Sequence, residues 1–153
     1  AYQLRIDERV VVMERQNFRY AVPEDFSQGQ PTIASIDVSF ISLSLILPPL
    51  QAILIDKGPV VALIKPQFEA GPERIGKKGV IRDARIHREV LEEVLQFICQ
   101  IGYTIHGLTF SPITGGEGNI EFLVYLRNAK QAHNLSYQDV NIEQVVEQAH
   151  QTL

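Results

Sequence analysis

Three ionisable residues stand where strand-like segments begin or end, and their types suit proton handling. Lys65 directly follows the apolar run Val60–Ile64 in "VVALIKPQFEAG". Asp37 lies near the end of "TIASIDV", and Glu121 lies near the start of "IEFLVYL". A lysine in partly apolar surroundings can act as a base, and two carboxylates beside it would orient it and balance its charge. The alternative is an ordinary ion pair at each strand end, but the three residues together favour a catalytic set.

The hydrophobic pattern predicts alternating strands and helices. Runs rich in β-branched and aromatic residues predict five strands, at Arg9–Glu14, Thr32–Val38, Val60–Ile64, Tyr103–Phe110 and Ile120–Arg127. Apolar residues at helical spacing predict helices in Ser42–Asp56, divided at Pro48–Pro49, in Arg85–Ile101 and in Asn141–Thr152. The second and third strands are almost entirely apolar, which is typical of central parallel strands covered on both faces. This order of elements predicts an α/β fold with right-handed parallel crossovers.

The last two predicted strands differ from the others in how they are connected. Only "SPITGGEGN" separates them, and this segment is too short for a helical crossover, so these strands must be antiparallel. Ligands of open α/β sheets bind beyond the carboxyl ends of the parallel strands. Because the final strand enters the sheet from that edge, the topology brings Asp37, Lys65 and Glu121 together there.

The segment that follows Lys65 is long and basic. Residues 65–88 contain seven Lys or Arg and three Asp or Glu, a local net charge of +4, whereas the whole chain carries −4. A polyanion such as nucleic acid would be steered to this segment. The cations that we expect to contact phosphates are Arg74, Lys77, Lys78 and Arg82. A solvated mobile loop is the alternative, and the two interpretations are compatible.

A glycine cluster, "TGGEGN" at residues 114–119, joins the last two strands. Because it does not lead from a strand into a helix, it is not a cofactor loop of the Rossmann type. We expect a flexible turn that lets the substrate backbone approach Glu121. A hairpin loop that merely needs positive φ angles is the alternative.

Composition excludes several classes of protein. The chain has 153 residues, of which 45% are hydrophobic and 21% charged, ordinary values for one globular domain. One cysteine excludes an internal disulfide framework and suits a reducing cytoplasm. No apolar run reaches the ~18 residues that span a bilayer, so we expect no membrane partner. The histidines lack metal-ligand spacing, so we expect no metal; they are His87, His106, His133 and His150.

Four segments together resemble one known family. They are "IDVSFISLSLILPPL", "VVALIKPQFEAG", "GVIRDARIH" and "SPITGGEGNIEFLVYL". The resemblance is to the TlyA type, also labelled hemolysin A, of the FtsJ-like S-adenosylmethionine-dependent ribosomal RNA 2′-O-methyltransferases. It implies a Rossmann-like class I methyltransferase fold with a Lys-Asp-Lys-Glu catalytic set. The Asp, the second Lys and the Glu of that set match Asp37, Lys65 and Glu121.

Part of the family pattern has no counterpart in this sequence, namely the first lysine and the glycine-rich cofactor loop. We therefore expect a truncated FtsJ-like domain over residues 1–153, with an S4-type RNA-binding domain, that lysine, the loop and the first two strands of the sheet lying upstream. The chain alone should then bind S-adenosylmethionine poorly and be inactive. The cofactor contacts that the resemblance leaves in this chain are Glu14, Asn17, Asp37, Val38 and Ser39.

For the intact protein, the resemblance implies methylation of a ribose 2′-hydroxyl in ribosomal RNA. The implied partner is ribosomal RNA or a ribosomal subunit in the cytoplasm. One alternative is a non-catalytic RNA-binding module that keeps the fold, which a cofactor titration would distinguish. Another is a haemolysin-like, membrane-active protein, but the helices predicted at Arg85–Ile101 and Asn141–Thr152 have ordinary polar faces rather than strongly basic ones.

Overall fold

The sheet is built from strands of both halves of the chain. The computed structural model describes residues 1–132 and 140–153. In these residues the strands are β1 (Ala34–Ile36), β2 (Pro59–Ile64), β3 (Tyr103–Phe110) and β4 (Phe122–Asn128), in the order β1-β2-β4-β3. β1 and β2 are parallel, whereas β4 is antiparallel to both of its neighbours. The predicted α/β sheet with an antiparallel last strand is therefore confirmed.

Five helices connect or flank the described strands. They are α1 (Tyr2–Arg5), α2 (Leu43–Ile53), α3 (Pro66–Glu69), α4 (Ala84–Ile101) and α5 (Ile142–Thr152). Short 3₁₀ turns lie at Phe18–Tyr20, Pro23–Asp25, Pro72–Arg74, Lys77–Gly79 and Gly116–Gly118. The side chain of Asp83 caps the start of α4, and Gly102, at φ 111°, ends it in the left-handed region. Asn141 caps α5 by accepting the backbone N–H of Gln144 at 3.0 Å, as its position predicted.

The core lies between one face of the sheet and the helices. The buried side chains on that face are Ile36, Val60, Ala62, Ile64, Tyr103, Ile105, Phe122, Val124 and Leu126. α4 and α5 both pack against β3, and the Tyr103 hydroxyl donates to the carbonyl of Leu47 in α2 at 2.6 Å.

The opposite face of the sheet is less well covered, since Val61 of β2 is 40% exposed there. β2 is therefore central in the described sheet, as predicted, whereas β1 lies at its edge. The predicted cover on both faces is wrong at Val61, because an apolar run does not specify how many layers cover it.

The strand predicted at Arg9–Glu14 does not form. A strand needs a neighbour to complete its backbone hydrogen bonds, and no described strand lies beside this segment. Its four apolar side chains are 37% to 56% exposed, namely Val10, Val11, Val12 and Met13. The β-branched residues of this segment thus favour a strand, but no described strand pairs with it.

The proline pair does not divide α2, contrary to prediction. Pro48 and Pro49 lie inside one continuous helix. Each proline lacks an N–H and leaves the carbonyl four residues earlier without a helical hydrogen bond. The helix nevertheless persists because it buries five apolar side chains: Leu43, Ile46, Leu47, Leu50 and Ile53. Packing of this apolar face therefore outweighs the local cost of the two prolines.

Candidate active site

Lys65 directly follows β2 and pairs with Asp37, which directly follows β1. Lys65 Nζ lies 2.5 Å from Asp37 Oδ1 and donates to Ser39 Oγ at 3.1 Å. The parallel register explains the second contact, because Ile36 lies beside Ala62 and the same offset brings Ser39 beside Lys65. The Lys65 side chain is 11% exposed, whereas that of Asp37 is 69% exposed. A mostly buried lysine side chain therefore pairs with an exposed carboxylate at the carboxyl edge of the sheet.

Glu121 lies at the same edge because β4 begins there. Ile64 of β2 is paired with Phe122 of β4, so Lys65 and Glu121 are the next residues along two antiparallel segments. Both line a cleft of about 450 Å³, here called the lysine cleft. Glu121 is 8% exposed, and its Oε2 accepts a hydrogen bond from Gln67 Nε2 at 2.9 Å. The structure thus brings the three predicted residues to one edge, with Glu121 bonded to an amide rather than to the lysine.

An exposed aromatic side chain stands at this cleft. Phe40, which also lines the lysine cleft, is 89% exposed and has a φ of 60°, unusual for a bulky residue. Its ring packs against Phe68, with the centroids 4.8 Å apart. Sequence reasoning missed this pair. The sequence feature that could have indicated it is the position of Phe40 directly after Ser39, in the polar segment that follows β1.

Asn119 ties the glycine-rich loop to the basic segment. It is 3% exposed, and its Oδ1 accepts the backbone N–H of Ile81 at 3.0 Å. Its Nδ2 donates to the carbonyls of Gly79 and Gly116, each at 3.0 Å. The loop that was predicted as a flexible turn is therefore held at its end by a buried side chain.

The four predicted phosphate-binding cations line one hollow of about 440 Å³, here called the basic hollow: Arg74, Lys77, Lys78 and Arg82. Lys78 also lines the lysine cleft, so the two cavities adjoin. Arg74 donates to both carboxylate oxygens of Glu93, at 3.0 and 2.8 Å, which balances its charge. Among the described residues, Lys77, Lys78 and Arg82 form no ion pair.

A third cavity, an apolar groove of about 340 Å³, runs along the free edge of β1. Its walls include Phe18 and Leu50, and Asp37 and Val38 line it as well. The next residue, Ser39, lines the lysine cleft instead. Residues 37–39 therefore separate this apolar groove from the lysine cleft.

The other two predicted cofactor contacts are engaged elsewhere. Glu14 is exposed and forms an ion pair with Arg5. Asn17 caps the turn Phe18–Tyr20, where its Oδ1 accepts the backbone N–H of Arg19 at 3.1 Å. Neither residue lines the apolar groove. Asp37 and Val38 line the apolar groove and Ser39 lines the lysine cleft, whereas Glu14 and Asn17 line neither cavity.

The histidines do not form a metal site in the described chain. Within residues 1–132 and 140–153, no group of three or more His, Cys, Asp or Glu is arranged to hold a metal ion. His87 Nδ1 and His150 Nε2 are 2.8 Å apart between α4 and α5, His106 is exposed on β3, and His133 lies outside the described residues. The described helices are all too short or too polar to cross a membrane.

Several known proteins are similar to this chain. YqxC of Bacillus subtilis, a candidate rRNA methyltransferase, is 54% identical over 156 residues, which cover all of this chain and 55% of YqxC. TlyA of Mycobacterium tuberculosis, a 16S/23S rRNA (cytidine-2′-O)-methyltransferase, is 37% identical over 127 residues, which cover 83% of this chain and 47% of TlyA. The solved structure of a candidate hemolysin from Streptococcus thermophilus matches with a TM-score of 0.92 at 54% identity, over 99% of this chain and 54% of that one.

These matches cover most of this chain but only part of each relative. The chain spans about half the length of the curated relatives it matches. The sequence model of the FtsJ-like methyltransferases matches residues 1–128, which is most of the chain. Together with the relatives, this match shows that the chain belongs to the FtsJ-like methyltransferase family, in its TlyA/hemolysin A group.

Proposed function

We propose that the protein containing this chain methylates a ribose 2′-hydroxyl of ribosomal RNA in the cytoplasm. The observation that carries the proposal is the lysine cleft, where Lys65 and Glu121 meet on adjacent strand ends beside the basic hollow. Membership of the family supports methyl transfer. The activity named for TlyA supports ribosomal RNA as the substrate and the 2′-hydroxyl as the acceptor.

Lys65 is proposed to bind and orient the hydroxyl that is methylated. An ammonium has three N–H donors, and Asp37 and Ser39 accept two of them. The third is then available to the 2′-oxygen of the substrate. Because the lysine side chain is 11% exposed and two of its donors are bound, the ammonium is held in one position.

Glu121 is proposed to accept the proton that the 2′-hydroxyl loses. Gln67 occupies one carboxylate oxygen, Oε2, so Oε1 is the oxygen available for the proton. A positioned general base contributes about 10²- to 10⁴-fold to rate. Asp37, which contacts the lysine, balances the ammonium charge, so the two carboxylates have different roles.

S-adenosylmethionine, when bound, supplies the methyl group. Asp37 and Val38, which line the apolar groove next to the lysine cleft, are the residues of this chain that would contact it. Ser39, on the cleft side, holds Lys65 toward the substrate. The residues between groove and cleft would therefore face the methyl donor on one side and the ribose on the other.

The RNA is proposed to lie across the basic hollow and the lysine cleft. Lys77, Lys78 and Arg82 would contact phosphates, which gives affinity without sequence readout. Phe40 would stack on an unpaired base near the target ribose, since single-stranded RNA is commonly bound through such aromatic contacts. A 2′-hydroxyl acceptor by itself selects RNA over DNA.

A methyl-transfer assay with the full-length protein, ribosomal RNA and labelled S-adenosylmethionine tests the proposal. We expect Lys65→Met to lower turnover about 100-fold or more, because the hydroxyl loses its donor, with little change in thermal stability. Lys57→Met is the matched control, since Lys57 precedes β2 at the opposite end of the same strand. A Lys65→Met protein that keeps most of its turnover would exclude Lys65 from the mechanism. A wild-type protein that binds ribosomal RNA but transfers no methyl group would favour the non-catalytic RNA-binding module.

A further inference from the structure

We propose that Gln67 and Gly115 form a seat that fixes the orientation of the Glu121 carboxylate, and that both act in methyl transfer through Glu121. The two residues are 48 positions apart in the chain; Gln67 lies in α3 and Gly115 in the loop between β3 and β4, and both line the lysine cleft. The effect on rate rests on the proposed function. The seat itself is a feature of the fold and can be tested separately.

Gln67 provides the hydrogen bond of the seat. It is 8% exposed, and its Nε2 donates to Glu121 Oε2 at 2.9 Å. A carboxylate can only accept here, so the amide nitrogen must face it and the amide oxygen must face away. That oxygen, Oε1, is buried and has no hydrogen-bond partner in the described chain. Since an unpaired buried acceptor is unfavourable, an amide at this position is explained by what its N–H does.

Gly115 provides the space of the seat. Its backbone angles, φ −83° and ψ −161°, are accessible to any residue, so its conformation does not require glycine. A Cβ at this position would lie 2.1 Å from Glu121 Oε2 and 2.5 Å from its Cδ, far inside any real contact. The oxygen that would clash is the one that Gln67 binds. Glycine therefore allows the carboxylate to lie directly against the backbone, and any side chain here would displace it.

The neighbouring Gly116 provides a matched comparison. A Cβ added at Gly116 would meet no atom within 4 Å. Alanine at position 115 must displace the carboxylate, whereas alanine at position 116 should displace nothing. Because a glutamate side chain is flexible at its end, we expect Gly115→Ala to move the carboxylate and leave the backbone in place.

The seat can be observed by NMR without any activity. We would measure hydrogen exchange of the Gln67 side-chain amide in the wild type, Gly115→Ala and Gly116→Ala proteins. The amide should be protected in the wild type and in Gly116→Ala, and should lose its protection in Gly115→Ala. Equal protection in all three proteins would overturn the seat.

The role of the seat in catalysis is measured in the methyl-transfer assay. We expect Gly115→Ala and Gln67→Met to lower kcat, by up to about 100-fold for an ångström-scale displacement, with KM for RNA and thermal stability unchanged. Gly116→Ala should keep the wild-type kcat. In a Glu121→Gln background, with its residual rate, neither substitution should reduce kcat further if both act through Glu121.

The possible failures can be told apart. Full additivity in the Glu121→Gln background, or a wild-type kcat for Gly115→Ala, would overturn the positioning role while methyl transfer by the wild type upholds the proposed function. A wild-type protein without methyl transfer would refute the proposed function. The amide-exchange comparison would still decide whether the seat exists.

Discussion

The segment "KPQFE", Lys65–Glu69, has a separate contact for almost every residue. Pro66 begins α3, where the missing N–H costs nothing. Glu69 caps α2: its Oε1 accepts the N–H of Leu43 at 2.9 Å and its Oε2 accepts the hydroxyl of Ser42 at 2.7 Å. Burial raises the pKa of Glu69, and these two hydrogen bonds oppose that effect.

The other contacts of this segment are Lys65 with Asp37, Gln67 with Glu121 and Phe68 with Phe40. Five consecutive residues thus connect α2, β1 and β4 around one cleft.

Phe40 provides a prediction about RNA affinity. Stacking of a base on an aromatic side chain contributes roughly 1–3 kcal/mol, so Phe40→Ala should raise the Kd for a ribosomal RNA fragment by about 5- to 150-fold. Phe40→Trp should retain the affinity. Tyr20→Ala is the control, because Tyr20 is 70% exposed but does not line the lysine cleft. Fluorescence titrations at one fixed salt concentration measure all four proteins.

Backbone strain offers a second readout at the same residue. Phe40 adopts a left-handed conformation that costs an ordinary residue roughly 1–2 kcal/mol and costs glycine little. Phe40→Gly should therefore lower RNA affinity without a matching loss of unfolding free energy. If Phe40 serves only to pack against Phe68, the stability should fall and the affinity should not.

At the scale of elements, the contact between α4 and α5 contains a histidine pair. His87 is fully buried, and its Nδ1 lies 2.8 Å from His150 Nε2. Burial, together with the neighbouring His150, lowers the pKa of His87 from 6.5 to about 4. Burial also lowers the pKa of His150, with Arg88 adding to this effect and Asp83 opposing it. The α4–α5 interface therefore favours neutral histidines.

This pair predicts a loss of stability in acid. A base whose pKa is lower in the folded state binds fewer protons when folded, so stability is complete above pH 6.5 and declines as the pH falls toward about 4. For His87 the loss should reach about 2–3 kcal/mol over that window. Urea unfolding at several pH values should show a flatter profile for His87→Phe than for the wild type. His106→Gln removes a histidine from the exposed side of β3 and is the control. Equal slopes for the wild type and His87→Phe would contradict the assignment.

The elements that could be predicted from sequence are those specified locally. α4 has an apolar stripe between a capping aspartate and a terminal glycine, and β3 forms with the predicted bounds. Where the prediction was wrong, the outcome depended on a neighbouring element: Arg9–Glu14 has no paired strand, and packing of its apolar face keeps α2 continuous.

In the candidate site, the predicted strand directions were enough to bring Asp37, Lys65 and Glu121 to one edge of the sheet. The bond from Gln67 to Glu121 could not be predicted, because it joins residues 54 positions apart and depends on side-chain rotamers.

At the scale of the whole molecule, charge is segregated along the chain. Residues 65–88 carry a net +4 within a chain whose total is −4. Part of this positive charge is balanced locally, because Arg74 pairs with Glu93. Lys77, Lys78 and Arg82 remain in the basic hollow, next to the lysine cleft. An anionic polymer would thus be attracted to this side of the molecule and repelled by the rest.

The salt dependence of RNA binding tests this arrangement. Each phosphate contact contributes about 0.7 to 0.9 to the slope of log K against log salt concentration, so Lys77→Gln with Lys78→Gln should reduce the slope by roughly 1.4 to 1.8. The matched control is Lys57→Gln with Lys130→Gln, which removes the same charge from the opposite ends of β2 and β4. Both double variants shift the net charge from −4 to −6, so a field set by total charge would change their slopes equally. A larger reduction for the first pair requires direct contact, because counterions are released only where a cation replaces them at the phosphate.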